Sequence, residues 1–312
     1  MEGHLMNGYE ASLSAVADGV HAWVQPDGSW WMNNAGVIET ADGVILVDTC
    51  ATETRTRSLL DAVDSVTRSG PIVAAINTHA HGDHTYGNSL LPQQTMIIGH
   101  EHTRTGMCED TLLEACPPIW SPMPSWGKVT LRPPLLTTDD RLTLHHGGLR
   151  IEVLHPGYPA HTAGDLVVWL PDQRVLFTGD LLFHQVTPLI LSGELEGALR
   201  ALDWIAQFDP AHVVPGHGPV IDADALPGVL ESHRRYYEFV RNSADNGRSE
   251  GLPPLAVARR VSLDEFAGLP DAERIVLNLH RAYADRTGQA IDIQQAWSDV
   301  ITLNGGPMAT HV

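Results

Sequence analysis

The stretch "NTHAHGDH", residues 77–84, sets His79, His81, Asp83 and His84 within six positions. Imidazole and carboxylate in such density form the ligand set of a divalent transition metal. In His79-x-His81, alternate residues leaving a strand end turn the same way, so two imidazoles converge on one ion. Gly82 lacks a side chain and is expected to allow a sharp turn that aims Asp83 and His84 at a second position. One short stretch therefore begins two metal sites and needs partners from elsewhere. Three further apolar runs end beside a glycine with a suitable group: His161 in "PAHTAGD", Asp180 in "LFTGDLLF" and His217 in "VVPGHGP". Loops at strand ends are where a rigid scaffold carries function. Five imidazoles and two carboxylates suit two zinc ions, with iron or manganese as alternatives. Asp48, which ends "VILVD", is read as a hydrogen-bond partner of one histidine rather than as a ligand. The remaining histidines apart from His184, His100 and His155 among them, are read as ordinary surface or core residues.

For these groups to meet, several strand ends must share one edge. "NNAGVIE" (33–39) and "GVILVD" (43–48) are β-branched runs split by a turn, which predicts a hairpin. "TETRTRSLLDAVDSVTR" has helical apolar spacing, and "PIVAAINTH" is a buried strand entering the histidine cluster. The second half repeats this order with "LRIEVLHP", "DLVVWLP", "RVLFTGD", a helix at 194–208 and the strand "HVVPGHG". Such alternation predicts an α/β layered fold with its site along one sheet edge. Residues 104–138 are Pro-rich and irregular, and they are read as a lid or substrate wall. Beyond residue 222 the pattern turns helical, giving a catalytic domain over 1–222 and a helical extension over 223–312.

Composition narrows the partners. Lys and Arg number 19 against 38 Asp and Glu, a formal charge of −19, which repels nucleic-acid backbones and anionic lipid. No apolar run approaches the ~18 residues of a membrane span, and the N-terminal residues lack an export pattern, so a cytoplasmic setting is expected. Three cysteines, Cys50, Cys108 and Cys116, are unevenly spaced and are read as free thiols.

"HAHGDH" together with the later His161, Asp180 and His217 resembles the HxHxDH pattern of the metallo-β-lactamase fold superfamily, over roughly residues 15–222. The resemblance implies a four-layer αββα sandwich. It also implies a first metal on His79, His81 and His161, a second on Asp83, His84 and His217, and Asp180 bridging both. In that family a water shared by the metals becomes the nucleophile, and Asp83 would orient it. The zinc lactamases place Cys or His where this chain has Asp180, which points away from a true β-lactamase. RNA-processing members fit poorly with an acidic chain. Thioesterases of the glyoxalase-II type, lactonases and enzymes of carrier-bound acyl chains remain.

Trp120, Met123 and Trp126, with Trp30 and Trp31, are candidates to line a pocket for a flat apolar substrate. His184, four residues after Asp180, is a candidate proton donor or acceptor. "VADGVHAWVQPDGSWWMNNAGVI" and "GDLLFHQVTPLI" are similar to the cyclase–thioesterase branch of actinobacterial aromatic polyketide pathways. That similarity implies cyclisation and thioester cleavage of a polyketide on an acyl carrier protein, with Arg132, Arg234, Arg235 and Arg241 as a candidate docking patch. A lactonase or glyoxalase-II-like hydrolase is the alternative enzyme. A metal-stabilised binding protein is the alternative outside enzymes.

Overall fold

The computed structural model describes residues 10–67 and 70–312. Residues 1–9, which carry part of the stretch read for an export pattern, lie outside the described residues.

The first half comprises β1 (Ser12–Ala17), β2 (Val20–Val24), β3 (Ala35–Thr40), β4 (Gly43–Val47), α1 (Glu53–Val66), β5 (Ile72–Ile76), α2 (Gly82–Thr85), β6 (Met96–His100) and α3 (Glu101–Glu109). An irregular stretch follows, with only β7 (Trp120–Ser121) and then β8 (Leu136–Thr138). The second half holds β9 (Arg141–His146), β10 (Leu149–Leu154), β11 (Val167–Leu170), β12 (Val175–Phe183), α4 (Leu195–Ile205), β13 (His212–His217) and β14 (Ile221–Asp222). Four helices close the chain, α5 (Leu226–Ser249), α6 (Pro254–Ala258), α7 (Arg274–Thr287) and α8 (Ile293–Asn304), before the short β15 (Met308–Ala309).

Among the described residues two large sheets form, one ordered β1-β2-β3-β4-β5-β6-β8 and one ordered β14-β13-β12-β11-β10-β9, beside a small two-stranded sheet of β15 and β7. The period-two rule explains how the apolar strands serve two layers at once. In β4, Ile45 and Val47 face the other sheet while Val44 and Leu46 pack under α1. β12 and β13 behave alike: Phe177 and Val214 enter the inter-sheet core, and Leu176 and Val213 meet the helices outside. The result is helix, sheet, sheet, helix, the αββα arrangement expected from the resemblance.

The hairpin is present, pairing Thr40 with Gly43. α1 is started by Thr52, whose side chain accepts from the Arg55 amide. The C-terminal helices share one apolar cluster with α4 and the outer face of β12 and β13, so they are built against the second sheet. β15 pairs with β7, tying the chain's last residues to the irregular segment. The "NGRS" stretch, despite its glycine, continues α5 to Ser249. The three cysteines are free thiols. Among the described residues no helix is long and apolar enough to cross a membrane.

Candidate metal centre

Each sheet delivers strand ends to the same edge. β5 runs out through Asn77 and Thr78 to His79 and His81, and α2 presents Asp83 and His84. β12 carries Asp180, β13 ends on His217, and the loop before β11 supplies His161. The turn at Gly82 differs from the expectation. Gly82 opens a short helix, and its missing side chain makes room for a ring, since a Cβ there would lie 2.2 Å from the Tyr86 ring. Gly216 has the same kind of role, because its Cβ would fall 1.9 Å from Asp180 Oδ1.

The seven residues fall into two clusters of mutually close ligand atoms, His79, His81, His161 and Asp180 in one, and Asp83, His84 and His217 in the other. His81 Nδ1 lies 3.1 Å from His79 Nε2 and 2.9 Å from His161 Nε2. Asp180 reaches both clusters: Oδ2 is 3.3 Å from His161 Nε2, and Oδ1 is 3.1 Å from His84 Nε2. Asp83 Oδ2 stands 3.2 Å from His217 Nε2.

The opposite ring nitrogens decide what these close approaches mean. His161 Nδ1 donates to the Leu189 carbonyl at 2.7 Å and His217 Nδ1 to the Gly28 carbonyl at 2.8 Å. His84 Nδ1 donates to Asp48 Oδ2 at 2.8 Å. The Thr78 hydroxyl donates to Asp48 Oδ2 at 2.7 Å, so it accepts from His79 Nδ1 at 3.0 Å. His81 Nε2 meets Ser192 Oγ at 3.2 Å. With their protons committed outward, the inward nitrogens of neutral His79 and His161 present lone pairs to His81 and Asp180, while the inward nitrogens of His84 and His217 face the carboxylates of Asp180 and Asp83. Buried lone pairs facing one another at such distances are satisfied by a metal ion or a proton between them. His84 Nε2 and Asp180 Oδ1 are buried without a hydrogen-bond partner, a need that a ligated ion would meet. The donor set and its outward supports therefore fit divalent metal ions.

Electrostatics separate the two clusters. Burial drives the His79 and His161 imidazoles down, His161 to about 3, so both stay neutral and ready to ligate. In the second cluster burial also opposes the charged ring, but the carboxylates around His84 and His217 outweigh it, lifting His217 to about 9. Burial disfavours ionised Asp83, yet the neighbouring His84 and His217 hold it at about 2. Two buried carboxylates thus demand positive charge, supplied by protons on the rings or by a metal.

Beside the cluster opens a cavity of about 1010 Å³. Asp83, Asp180 and His217 lie at its floor, and Trp30, Trp31 and Trp120 form part of its walls. These rings meet edge to face, Trp31 and Trp120 with centroids 5.0 Å apart. Trp126 stands behind Trp31 at 4.7 Å and does not line the cavity. Met123 is 46% exposed and also outside it, because the chain there runs over the start of α1, where Glu53 N donates to the Trp126 carbonyl. His184 is not at the cavity either: its Nδ1 sits 2.9 Å from the Pro219 carbonyl, and Phe183 takes the inward place, stacked on His217. The cause is an irregular register, in which Gly179 pairs with Pro215 but Phe183 with His217, four residues of β12 against two of β13. That bulge breaks the alternation that would have turned His184 inward with Asp180.

The candidate docking arginines are engaged within the chain. Arg234 pairs with Asp203, Arg235 with Glu265 and Arg241 with Glu196, while Arg132 donates to carbonyls including Asn88 and Leu91. Several supporting residues escaped the sequence reading. Asp165 accepts from the backbone amides of His161 and Thr162 and fixes the His161 turn, and its signal was the Thr-x-x-Asp spacing in "HTAGD". Ser192 and the carbonyls of Gly28 and Leu189 had no residue-type signal, since any residue supplies a carbonyl.

The model of the Metallo-beta-lactamase superfamily matches residues 28–217. The chain is 24% identical over 271 residues to the linear primary-alkylsulfatase of Pseudomonas sp. (strain ATCC 19151), covering 73% of this chain and 49% of that protein. It is 28% identical over 222 residues to 2,4-dinitroanisole O-demethylase subunit alpha of Nocardioides sp. (strain JS1661), covering 67% of this chain and 60% of that one. The chain thus spans about half the length of the first relative and 60% of the second. Among solved structures, the sec-alkylsulfatase Pisa1 of Pseudomonas sp. superposes with a TM-score of 0.67 at 18% identity, over 91% of this chain and 51% of that one, a likeness of fold.

Proposed function

The chain belongs to the metallo-β-lactamase superfamily, and on that premise we propose that it is a dinuclear metallohydrolase cleaving an acyl thioester whose acyl part is bulky and apolar. The observation that carries this reading is the pair of ligand clusters bridged by Asp180 at the floor of a cavity of about 1010 Å³ with largely apolar walls. Residues 1–222 would be the catalytic domain and 223–312 an extension that walls it.

His79, His81, His161 and Asp180 would hold one ion, and Asp83, His84, His217 and Asp180 the other, with zinc the expected metal for so imidazole-rich a set. Bound there, two divalent cations supply an acidified water and polarisation of the scissile carbonyl. The chain's own groups do the rest. Asp83 has a side chain 12% exposed at the cavity floor, where its carboxylate would accept a hydrogen bond from the attacking water and orient its lone pair. Asp48 and Thr78 hold His84 and His79 in the ligating tautomer. The indole walls exclude bulk water from the reacting carbonyl and position the acyl body.

The finer form of this reading is cyclisation and release of a polyketide borne on an acyl carrier protein. The aromatic walls support a flat acyl body. A carrier would have to dock away from Arg234, Arg235 and Arg241, whose charges are already paired. A second reading, hydrolysis of an apolar sulfate ester, draws support from the likeness to alkylsulfatases.

The test is a mass-spectrometric time course of metal-loaded and metal-stripped protein with polyketide and simple acyl thioesters, lactones and alkyl sulfates. Metal-dependent loss of thioesters is expected. Turnover of alkyl sulfates alone would move the activity to the second reading, and no turnover of any substrate by the two-metal form would overturn a hydrolase.

A further inference from the structure

The cavity has a wall that no motif announces. α8 lies in the C-terminal extension, and its faces point different ways: Ala296, Asp299 and Val300 are buried inward. Ile293, Trp297 and Ile301, spaced one turn apart along the helix, line the cavity instead. Trp297 is fixed edge to face against Trp30 and Trp120, with centroids 6.3 Å and 5.7 Å away. Leu112, Ala115, Pro117 and Pro118 bound the same cavity from the irregular segment after α3. Ile293 is 47% exposed, a large apolar side chain left open at the cavity's outer part.

Size and chemistry agree on what belongs there. Small-molecule sites run to roughly 1,000 Å³ at their upper end, and this cavity holds about 1010 Å³. A two-carbon acyl group at the metal floor would leave most of that space as water against apolar surface, which is unfavourable. An apolar body extending from the floor to α8 covers Trp297 and Ile293 and removes that cost.

We propose that α8 is a specificity wall, and that Trp297 selects substrates carrying a bulky apolar body over short ones by packing against that body. This rests on the metallohydrolase reading for its turnover arm and on the cavity alone for its binding arm. Trp297 is a positioning residue at a distance from the reacting atoms, so its effect falls on discrimination between substrates. A fused aromatic ring and a long alkyl chain share the apolar chemistry, and the probes separate them.

The experiment compares native protein with Trp297→Ala and Trp297→Phe, each first checked for native circular dichroism and metal content. Turnover is read as the ratio of kcat/KM for decanoyl and 2-naphthoyl N-acetylcysteamine thioesters to that for the acetyl thioester. Binding is read on metal-loaded protein by isothermal titration calorimetry with 1-decanol, naphthalene-2-methanol and ethanol. A fall of about tenfold in the decanoyl or naphthoyl ratio for Trp297→Ala, partly restored in Trp297→Phe, is expected, with a matching loss of alcohol binding. Whichever of ring or chain falls further identifies the preferred body. Unchanged ratios and unchanged alcohol binding in Trp297→Ala would overturn the wall. If no thioester turns over but the larger alcohols bind native protein and lose affinity in Trp297→Ala, the wall stands and the thioesterase reading fails.

Discussion

Replacing Asp48 by Asn tests the logic of the centre at a residue outside both ligand clusters. Asp48 accepts at both oxygens: Oδ1 from the Thr78 amide at 2.7 Å, and Oδ2 from the Thr78 hydroxyl at 2.7 Å and from His84 Nδ1 at 2.8 Å. Asn at this position keeps the amide bond through its oxygen but turns an NH2 toward two donors. His84 relieves the clash by moving its proton to Nε2, which then points at the metal position. The Thr78 hydroxyl accepts from the new amide and donates to His79, whose proton moves to Nε2 in the same way. One atom exchanged thus spoils a ligand in each cluster. Loss of an outer partner of a metal-bound histidine typically costs 10–100-fold in affinity, or about 1.4–2.8 kcal/mol. Metal retained after dialysis against graded chelator, read by elemental mass spectrometry, is expected to fall by that factor at both positions. Thr78→Val removes only the link to His79 and is expected to weaken one ion and spare the other. Retention of both ions in Asp48→Asn with affinity within about twofold of native, the fold being intact, would refute the tautomer reasoning.

Gly216→Ala drives a Cβ to within 1.9 Å of Asp180 Oδ1; the bridging carboxylate must move, and protein that folds is expected to hold fewer than two ions and to lose turnover by elemental analysis and rate assay. Chelation is expected to lower the melting temperature reversibly, because it leaves buried lone pairs and carboxylates facing one another, and calorimetry before and after restoring zinc measures this. His233 is buried, accepts from the Phe183 amide through Nε2 and donates from Nδ1 to the Val229 carbonyl, and burial lowers its ring to about 4. Because the folded value lies below the unfolded one of about 6.5, the unfolded chain takes up the proton first. Stability from this group is therefore complete above pH ~6.5 and lost as pH falls toward 4, by about 3 kcal/mol in all. His233→Gln keeps an acceptor for Phe183 without the titration, so the stability gap between native and variant in urea denaturation should narrow over that pH range; a constant gap would contradict the assignment.

The seven candidate ligands that the structure gathers into two clusters were legible in the sequence because metal chemistry restricts residue type, and a strand end followed by a short helix places four of them within a few positions. Alternation along β4 and β12 made the layers legible for a related reason, since each strand is read by two apolar environments. What failed depended on partners distant in the chain. His184 shares a parity with Asp180 only in an unbroken strand, and the bulge that breaks it arises in the pairing of β12 with β13. Met123 follows the aromatic segment in sequence, but Glu53 draws that stretch onto α1 through its amide and its carboxylate, which accepts from Lys128 N at 2.7 Å. The helical pattern at 293–304 gave amphipathicity without direction. Trp297 acquires a role only because α8 is laid against Trp30 and Trp120, residues 267 and 177 positions earlier in the chain. Residues bound by coordination chemistry carry their purpose in their letters, whereas residues that shape an apolar cavity take it from whichever surface they meet. Substrate selection in this chain should therefore respond to substitutions in α8 that leave the metal ligands untouched.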